Sequence, residues 1–258
     1  MLGKEPNQTA TLPTRVESFF HCARSALSEH VAGFGQRVDA FLGGLRAELE
    51  QARGAIEEFE RKHAGRFNVF AFIEPDENRL SDILADLLDP KGSHGQGGDF
   101  LRLLADQLRV PIPVDVTRAK VYREETTAYI ANPLRRIDIV VDFGTFGLAI
   151  ENKPWAGEQA RQVRDYLDHL RGRYGDRFVL VYLSGAGIPP KSVEPSELER
   201  LEKCDQYRLL DYGGGLSAWL GKCVDACEAE SVQWFLRHFH GYVMKAAGWA
   251  AKAEGAGQ

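Results

Sequence analysis

The sequence predicts an α/β protein with a mixed central sheet flanked by helices, and three observations carry that prediction. Apolar residues recur every three or four positions along much of the first 108 residues. The period shortens to two between Lys120 and Lys153, and Phe178–Leu183 is a continuous apolar run. Helix, three strands, helix, strand in that order implies a sheet covered by helices. At 258 residues, 44% hydrophobic and 27% charged, the chain suits one large domain with a helical appendage. No apolar run approaches the ~20 residues of a membrane span. Met1–Thr14 is polar and lacks the apolar centre of a signal peptide, so a cytoplasmic protein is expected.

Each element follows from local pattern. Residues 1–14 read as a flexible tail. Arg15 to about His63 is helical, with Phe34, Val38, Phe41, Leu42, Leu45 and Leu49 on one stripe. Gly33 and Gly35 are expected to divide it into two helices. This region (15–65) carries no chemistry and reads as a scaffold, or as a surface for a homodimer or a protein partner. Asp76, after Pro75, is an N-cap for a helix carrying Leu80, Ile83, Leu84, Leu87 and Leu88, which Asp89-Pro90 ends. A Gly-rich loop over 91–98 leads into a helix over 99–108. Strands are expected at Lys120–Ala128, Arg136–Phe143 and Leu148–Lys153, with Gly144–Gly147 as a tight turn. A helix over about 157–172 follows. Phe178–Leu183 has the composition of a strand buried on both faces. A Pro-rich loop and short helix fill 185–203, and Tyr207–Leu210 is a further strand. Two helices near 214–228 and 231–247 pack on the core, with Trp219 and Trp234 as anchors. The core thus spans 66–212, the closing helices 213–248, and 249–258 reads as a second flexible tail.

The net charge of −5 does not announce a nucleic-acid binder, and does not exclude one, because a local basic patch can outweigh the total. Cys22, Cys204, Cys223 and Cys227 include no CxxC pair, so reduced thiols are expected rather than a zinc site.

The chemistry gathers in Arg136–Lys153. With Thr145 and Phe146 as the two turn residues, Asp138 opposes Lys153 and Val140 opposes Glu151. Asp138, Glu151 and Lys153 then share one face. Two carboxylates on a rigid hairpin suit a hard divalent cation, and a lysine beside them can orient water or stabilise phosphorane charge. The alternative is an Asp–Lys pair on a solvated sheet face. Glu77 shares the stripe of Leu80 and Leu84, so its carboxylate needs a partner. Either a metal supplies one, or Glu77 only complements the helix dipole. Ser81, one turn on, can bond into the same site. Gln159 and Tyr166, seven apart, could reach over the site from one helix face. Arg161 and Arg164 make that helix a phosphate-facing surface, or a solvated one balanced by Asp165 and Asp168. His94 could contact phosphate or position the nucleophile, or cap the next helix. Glu124 could serve as an outer-sphere carboxylate.

Asp138 followed by Glu151-Asn152-Lys153 resembles the D…ExK core of the PD-(D/E)XK nuclease superfamily. Asn68-Val-Phe, Glu77-Asn-Arg-Leu-Ser81, Leu87-Leu-Asp-Pro90, His94-Gly-Gln-Gly97 and Phe100-Leu101 precede it, and Gln159 and Tyr166 follow. The ordered set is similar to one PD-(D/E)XK-like branch linked to phage defence, and it covers about 66–185. The Pro that precedes the Asp in that family is here Ile137. The resemblance implies a restriction-endonuclease-like core, with Glu77, Asp138 and Glu151 as metal ligands, Lys153 as the catalytic lysine and Gln159 as an accessory active-site residue.

The expected activity is a Mg²⁺-dependent endonuclease, with Mn²⁺ able to substitute, acting on nucleic acid and on DNA in preference to RNA. Water would attack phosphorus in line, while Arg123, Arg135, Arg136, Arg161 and Arg164 would contact phosphates. The alternative is a non-catalytic nucleic-acid-binding or regulatory module on the same fold.

Overall fold

The structure is a computed structural model that describes residues 12–64, 67–127, 135–155 and 157–255. The tail residues 1–11 and 256–258, and Ala128 of the first expected strand, lie outside the described residues. The chain divides into two compact units, Met1–Phe67 and Asn68–Gln258.

The first unit holds one helix, α1, Leu12–His63. Gly33 and Gly35 do not interrupt it, contrary to expectation. Glycine in a helix interior costs about 1 kcal/mol relative to alanine but leaves helical geometry accessible.

The second unit holds α2 (Phe70–Ile73), α3 (Glu77–Leu88), α4 (Asp99–Leu108), β1 (Lys120–Thr126), β2 (Arg136–Asp142), β3 (Gly147–Lys153), α5 (Gln162–Tyr174), β4 (Phe178–Ser184), α6 (Pro195–Lys203), β5 (Tyr207–Asp211), a π-helical turn (Tyr212–Leu216), α7 (Ser217–Ala226) and α8 (Glu230–Gly255). The five strands lie in sequence order; β1, β2 and β3 pair antiparallel, and β3, β4 and β5 pair parallel. Asp76 caps α3 as expected, its Oδ1 accepting from the Arg79 N–H at 2.8 Å. Helix α8 continues to Gly255, past the expected end at 247.

Alternation sorts the strands between two apolar clusters. Ile139, Val141, Leu148, Ile150, Val179 and Val181 face the cluster formed with α3, α4, α7 and α8. Val140, Ala149, Leu180 and Tyr182 face the cluster formed with α5 and α6. Every residue of β4 is buried, as its continuous apolar run requires. Trp219 is 1% exposed and its Nε1 donates to the Phe100 carbonyl at 2.9 Å, fastening α7 to α4. Trp234 is not an anchor: it is 47% exposed and stacks on His238 at 4.1 Å. All four cysteines are free thiols.

Gly147 opens β3 directly beneath the Tyr174 ring; a Cβ there would lie 2.3 Å from its Cε2. Tyr174 is itself 6% exposed and has no room to yield. Gly147→Ala is therefore expected to cost about 1–3 kcal/mol of unfolding free energy. Urea denaturation measures it, and an unchanged midpoint would contradict this packing.

Candidate active site

The β2–β3 hairpin sets the site. Its central turn residues are Gly144 and Thr145, because the Phe143 N–H donates to the Phe146 carbonyl at 2.9 Å. Glycine holds the first central position at φ 82°, a conformation side-chain-bearing residues rarely adopt. Asp142 Oδ1 accepts from the Gly144 N–H at 2.7 Å and closes the turn. Ile139 therefore pairs with Ile150, and Asp142 with Gly147. This register differs from the expected one by two residues, so Asp138 lies level with Glu151 rather than Lys153. A shift of two leaves each side chain on its expected face, whereas a shift of one would have reversed them all.

Glu151 is 1% exposed. Its Oε1 accepts from Gln162 Nε2 at 2.7 Å and lies 2.9 Å from Lys153 Nζ. Its Oε2 is buried with no hydrogen-bond partner among the described residues. Burial, and then the neighbouring Asp138 charge, push the Glu151 carboxyl up to about 8. Asp138 Oδ2 accepts from the Asn152 N–H at 2.8 Å. Burial raises the Asp138 carboxyl as well, against the opposing pull of that hydrogen bond and of Lys153. Lys153 Nζ donates to Glu77 Oε1 at 2.6 Å. Burial works against the Lys153 ammonium, but Glu151 and Glu77 outweigh it and hold its proton more tightly than usual.

Glu77 is thus the partner of Lys153. Among the described residues, no three His, Cys, Asp or Glu side chains form a ready-made metal cage. The donor set nevertheless fits a hard divalent cation at Asp138 and Glu151. A half-buried and a buried carboxylate lack enough positive charge between them, and one buried Glu151 oxygen has no partner among the described residues.

The glutamine in the site is Gln162, not Gln159. Helix α5 starts at Gln162, so residue 159 precedes its first turn. Gln162 Nε2 bridges Glu151 and the Tyr166 hydroxyl, at 2.7 and 2.9 Å. Tyr166 in turn donates to the Arg136 carbonyl at 2.6 Å. Gln159 instead accepts from Arg135 Nη1 at 3.2 Å. The spacing of four between Gln162 and Tyr166 was the available signal, since it places both on one helix face.

Ser81 does not face the carboxylates. Its Oγ accepts from Asn152 Nδ2 at 2.9 Å, while Asn152 Oδ1 accepts from the Tyr212 hydroxyl at 2.7 Å. Asn152 and Tyr212, both buried, were not singled out from the sequence; Asn152 stood only as the middle of the Glu-x-Lys triplet. His94 is a loop residue, 4% exposed. Its Nδ1 accepts from the Gln96 N–H at 3.0 Å, which leaves Nε2 to donate to the Asp89 carbonyl at 3.0 Å. With both ring nitrogens engaged, it has none for phosphate. Glu124 pairs with Arg136 on the exposed surface at 2.9 Å, away from the buried carboxylates.

Most of the expected phosphate contacts are committed elsewhere. Arg123 binds Asp82 at 2.9 Å and the Asp138 carbonyl, tying β1 and α3 to the site strand. Arg135 pairs with Asp165, and Arg164 forms two bonds to Glu197. Arg136 and Arg161 are also paired, with Glu124 at 2.9 Å and Asp165 at 3.7 Å, but their side chains stay 59% and 73% exposed.

The PD-(D/E)XK nuclease superfamily matches residues 67–240 of this chain. No curated protein and no solved structure matches it. No helix among the described residues is long and apolar enough to cross a membrane.

Glu151 carries a testable consequence in chelated, metal-free protein. Folding pushes its carboxyl up from the ordinary 4.5 to about 8. Between those values the folded state binds more protons, so stability falls as pH rises through the window. The Asp138 shift has the same sign. Denaturation at several pH values in EDTA is expected to show that decline, and Glu151→Gln to flatten it. A slope unchanged by the substitution would contradict the assignment.

Proposed function

The chain belongs to the PD-(D/E)XK nuclease superfamily, and from that premise we propose that it is a divalent-metal-dependent endonuclease. Its substrate would be nucleic acid, DNA in preference to RNA, cleaved in the cytoplasm as part of phage defence. The observation that carries the reading is the Asp138–Glu151–Lys153 cluster, one half-buried and one buried carboxylate under-compensated by one ammonium, with one Glu151 oxygen unpartnered among the described residues.

Asp138 and Glu151 would hold Mg²⁺, or Mn²⁺ in its place. Bound there, the cation acidifies water and offsets phosphate charge. The chain's own groups supply the rest. The Asn152 N–H fixes the Asp138 carboxylate, and the Gln162 amide fixes that of Glu151. Lys153, its proton held firmly by Glu77 and Glu151, acts as a donor: it would hold the attacking water or the developing phosphorane charge rather than remove a proton. Glu77 positions that ammonium. Arg136 and Arg161, the most exposed of the five arginines, would exchange their carboxylate partners Glu124 and Asp165 for phosphates flanking the scissile one.

The test is cleavage of supercoiled plasmid, linear duplex, single-stranded DNA and RNA with Mg²⁺, Mn²⁺ or EDTA. Metal-dependent nicking of plasmid is expected, with activity lost on the order of 10³-fold in Lys153→Ala. Gln162→Ala, which frees Glu151 without removing a ligand, is expected to lower the rate about 10- to 100-fold. Cleavage that persists in Lys153→Ala, or binding of nucleic acid with no cleavage under any condition, would overturn the catalytic reading. The second outcome would leave a binding module.

A further inference from the structure

Helix α1 presents a long apolar face whose covering partner can be read from its own charges. Phe20, Leu27, Phe34 and Phe41 recur every seven residues. Val31, Val38, Leu45 and Ala52 form a second sevenfold series, each three or four residues from members of the first. Such 3–4 spacing sustained over roughly five repeats is the pattern of a supercoiled helix pair. The large members are 37–66% exposed. The helix also runs through Gly33, Gly35, Gly43, Gly44 and Gly54. Five glycines weaken it by about 1 kcal/mol each, so it needs packing along its apolar face to persist.

Between Phe20 and Ala52, two positions of these series are charged, Arg24 and Glu48. In a parallel, in-register pair, Arg24 would face Arg24 and Glu48 would face Glu48 inside the seam. In an antiparallel pair whose opposed residues have numbers summing to 72, Arg24 of each copy faces Glu48 of the other. The same register sets Phe20 against Ala52, Leu27 against Leu45, Val31 against Phe41 and Phe34 against Val38. Each remaining layer is then apolar, and every phenylalanine meets a smaller side chain. Moving the antiparallel register by one heptad either way sets Arg24 against Phe41 or Ala55 and Glu48 against Glu17 or Val31, so neither charge meets an opposite one and both are costly in the seam.

We propose that α1 pairs with α1 of a second copy of this chain as an antiparallel coiled coil, with two reciprocal Arg24–Glu48 ion pairs setting its direction and register. The proposal is independent of the nuclease reading, and its test needs no catalysis. Light scattering on the full chain is expected to give twice the 28.8 kDa monomer mass. Arg24→Glu is expected to weaken the dimer at least ~100-fold, because it opposes like charges in the seam. Adding Glu48→Arg to it reverses both charges and is expected to restore the dimer, which excludes a mere folding defect. Direction is read by cross-linking with a short bismaleimide in a background lacking the exposed Cys22 and Cys204. Leu27→Cys with Leu45→Cys is expected to give covalent dimer. Leu27→Cys alone should not, its two copies standing 18 residues, or about 27 Å, apart along the pair. A monomer, a dimer indifferent to Arg24→Glu, or a dimer linked through Leu27→Cys alone would overturn the proposal.

Discussion

A carboxylate at 1% exposure is the constraint around which the core unit is arranged. Glu151 follows the apolar run Leu148-Ala-Ile150 near the end of a buried strand, where an ionised carboxyl is costly unless it is paired. The surrounding groups answer that cost only in part. Lys153 supplies one positive charge and shares it with Glu77, Gln162 supplies one hydrogen bond, and Asp138 adds a second negative charge nearby. A purely structural pair would be closer to balance. The residual imbalance, with one oxygen unsatisfied, is what a cation would correct, and it links the folding problem to the chemistry.

The sheet explains why the cluster is held so firmly. It lies at the carboxyl end of β3, the strand at which pairing changes from antiparallel to parallel. Alternation along that strand sends Glu151 and Lys153 toward the α5 side and Asn152 toward α3 and the π-helical turn. Each side is then braced by its own polar chain: Gln162–Tyr166–Arg136 carbonyl on one, Ser81–Asn152–Tyr212 on the other. The Asn152 backbone joins the two, since its N–H orients Asp138 while its side chain reaches Ser81 and Tyr212. The middle residue of the Glu-x-Lys triplet is therefore a structural keystone.

The arginines show how charge is divided between holding the fold and meeting a ligand. Arg123, Arg135 and Arg164 spend their donors on carboxylates and carbonyls of neighbouring elements. Arg136 and Arg161 keep most of their surface in solvent. The N-terminal helix follows the opposite logic, because its two charges within the apolar series are informative only through what they would face in another copy.

By itself the sequence determined the order of the strands and the common face of Asp138, Glu151 and Lys153. Those depend on local periodicity, and a period of two survives even the two-residue error in hairpin register. Its motifs also sufficed for the family, because an ordered set of short patterns is carried by residue identity alone. Tertiary structure decided what depends on distance between elements. The hairpin register followed from Gly144 taking the positive φ that Thr145 would resist. Gln162 displaced Gln159 because α5 begins at Gln162 rather than at about 157, which leaves residue 159 before its first turn. Ser81 and His94 turned to hydrogen-bond partners that no spacing rule connects to them, and Glu77 met Lys153 across 76 residues of chain. A side chain's partner is set by where two distant segments come to rest, and a one-dimensional pattern holds no record of that.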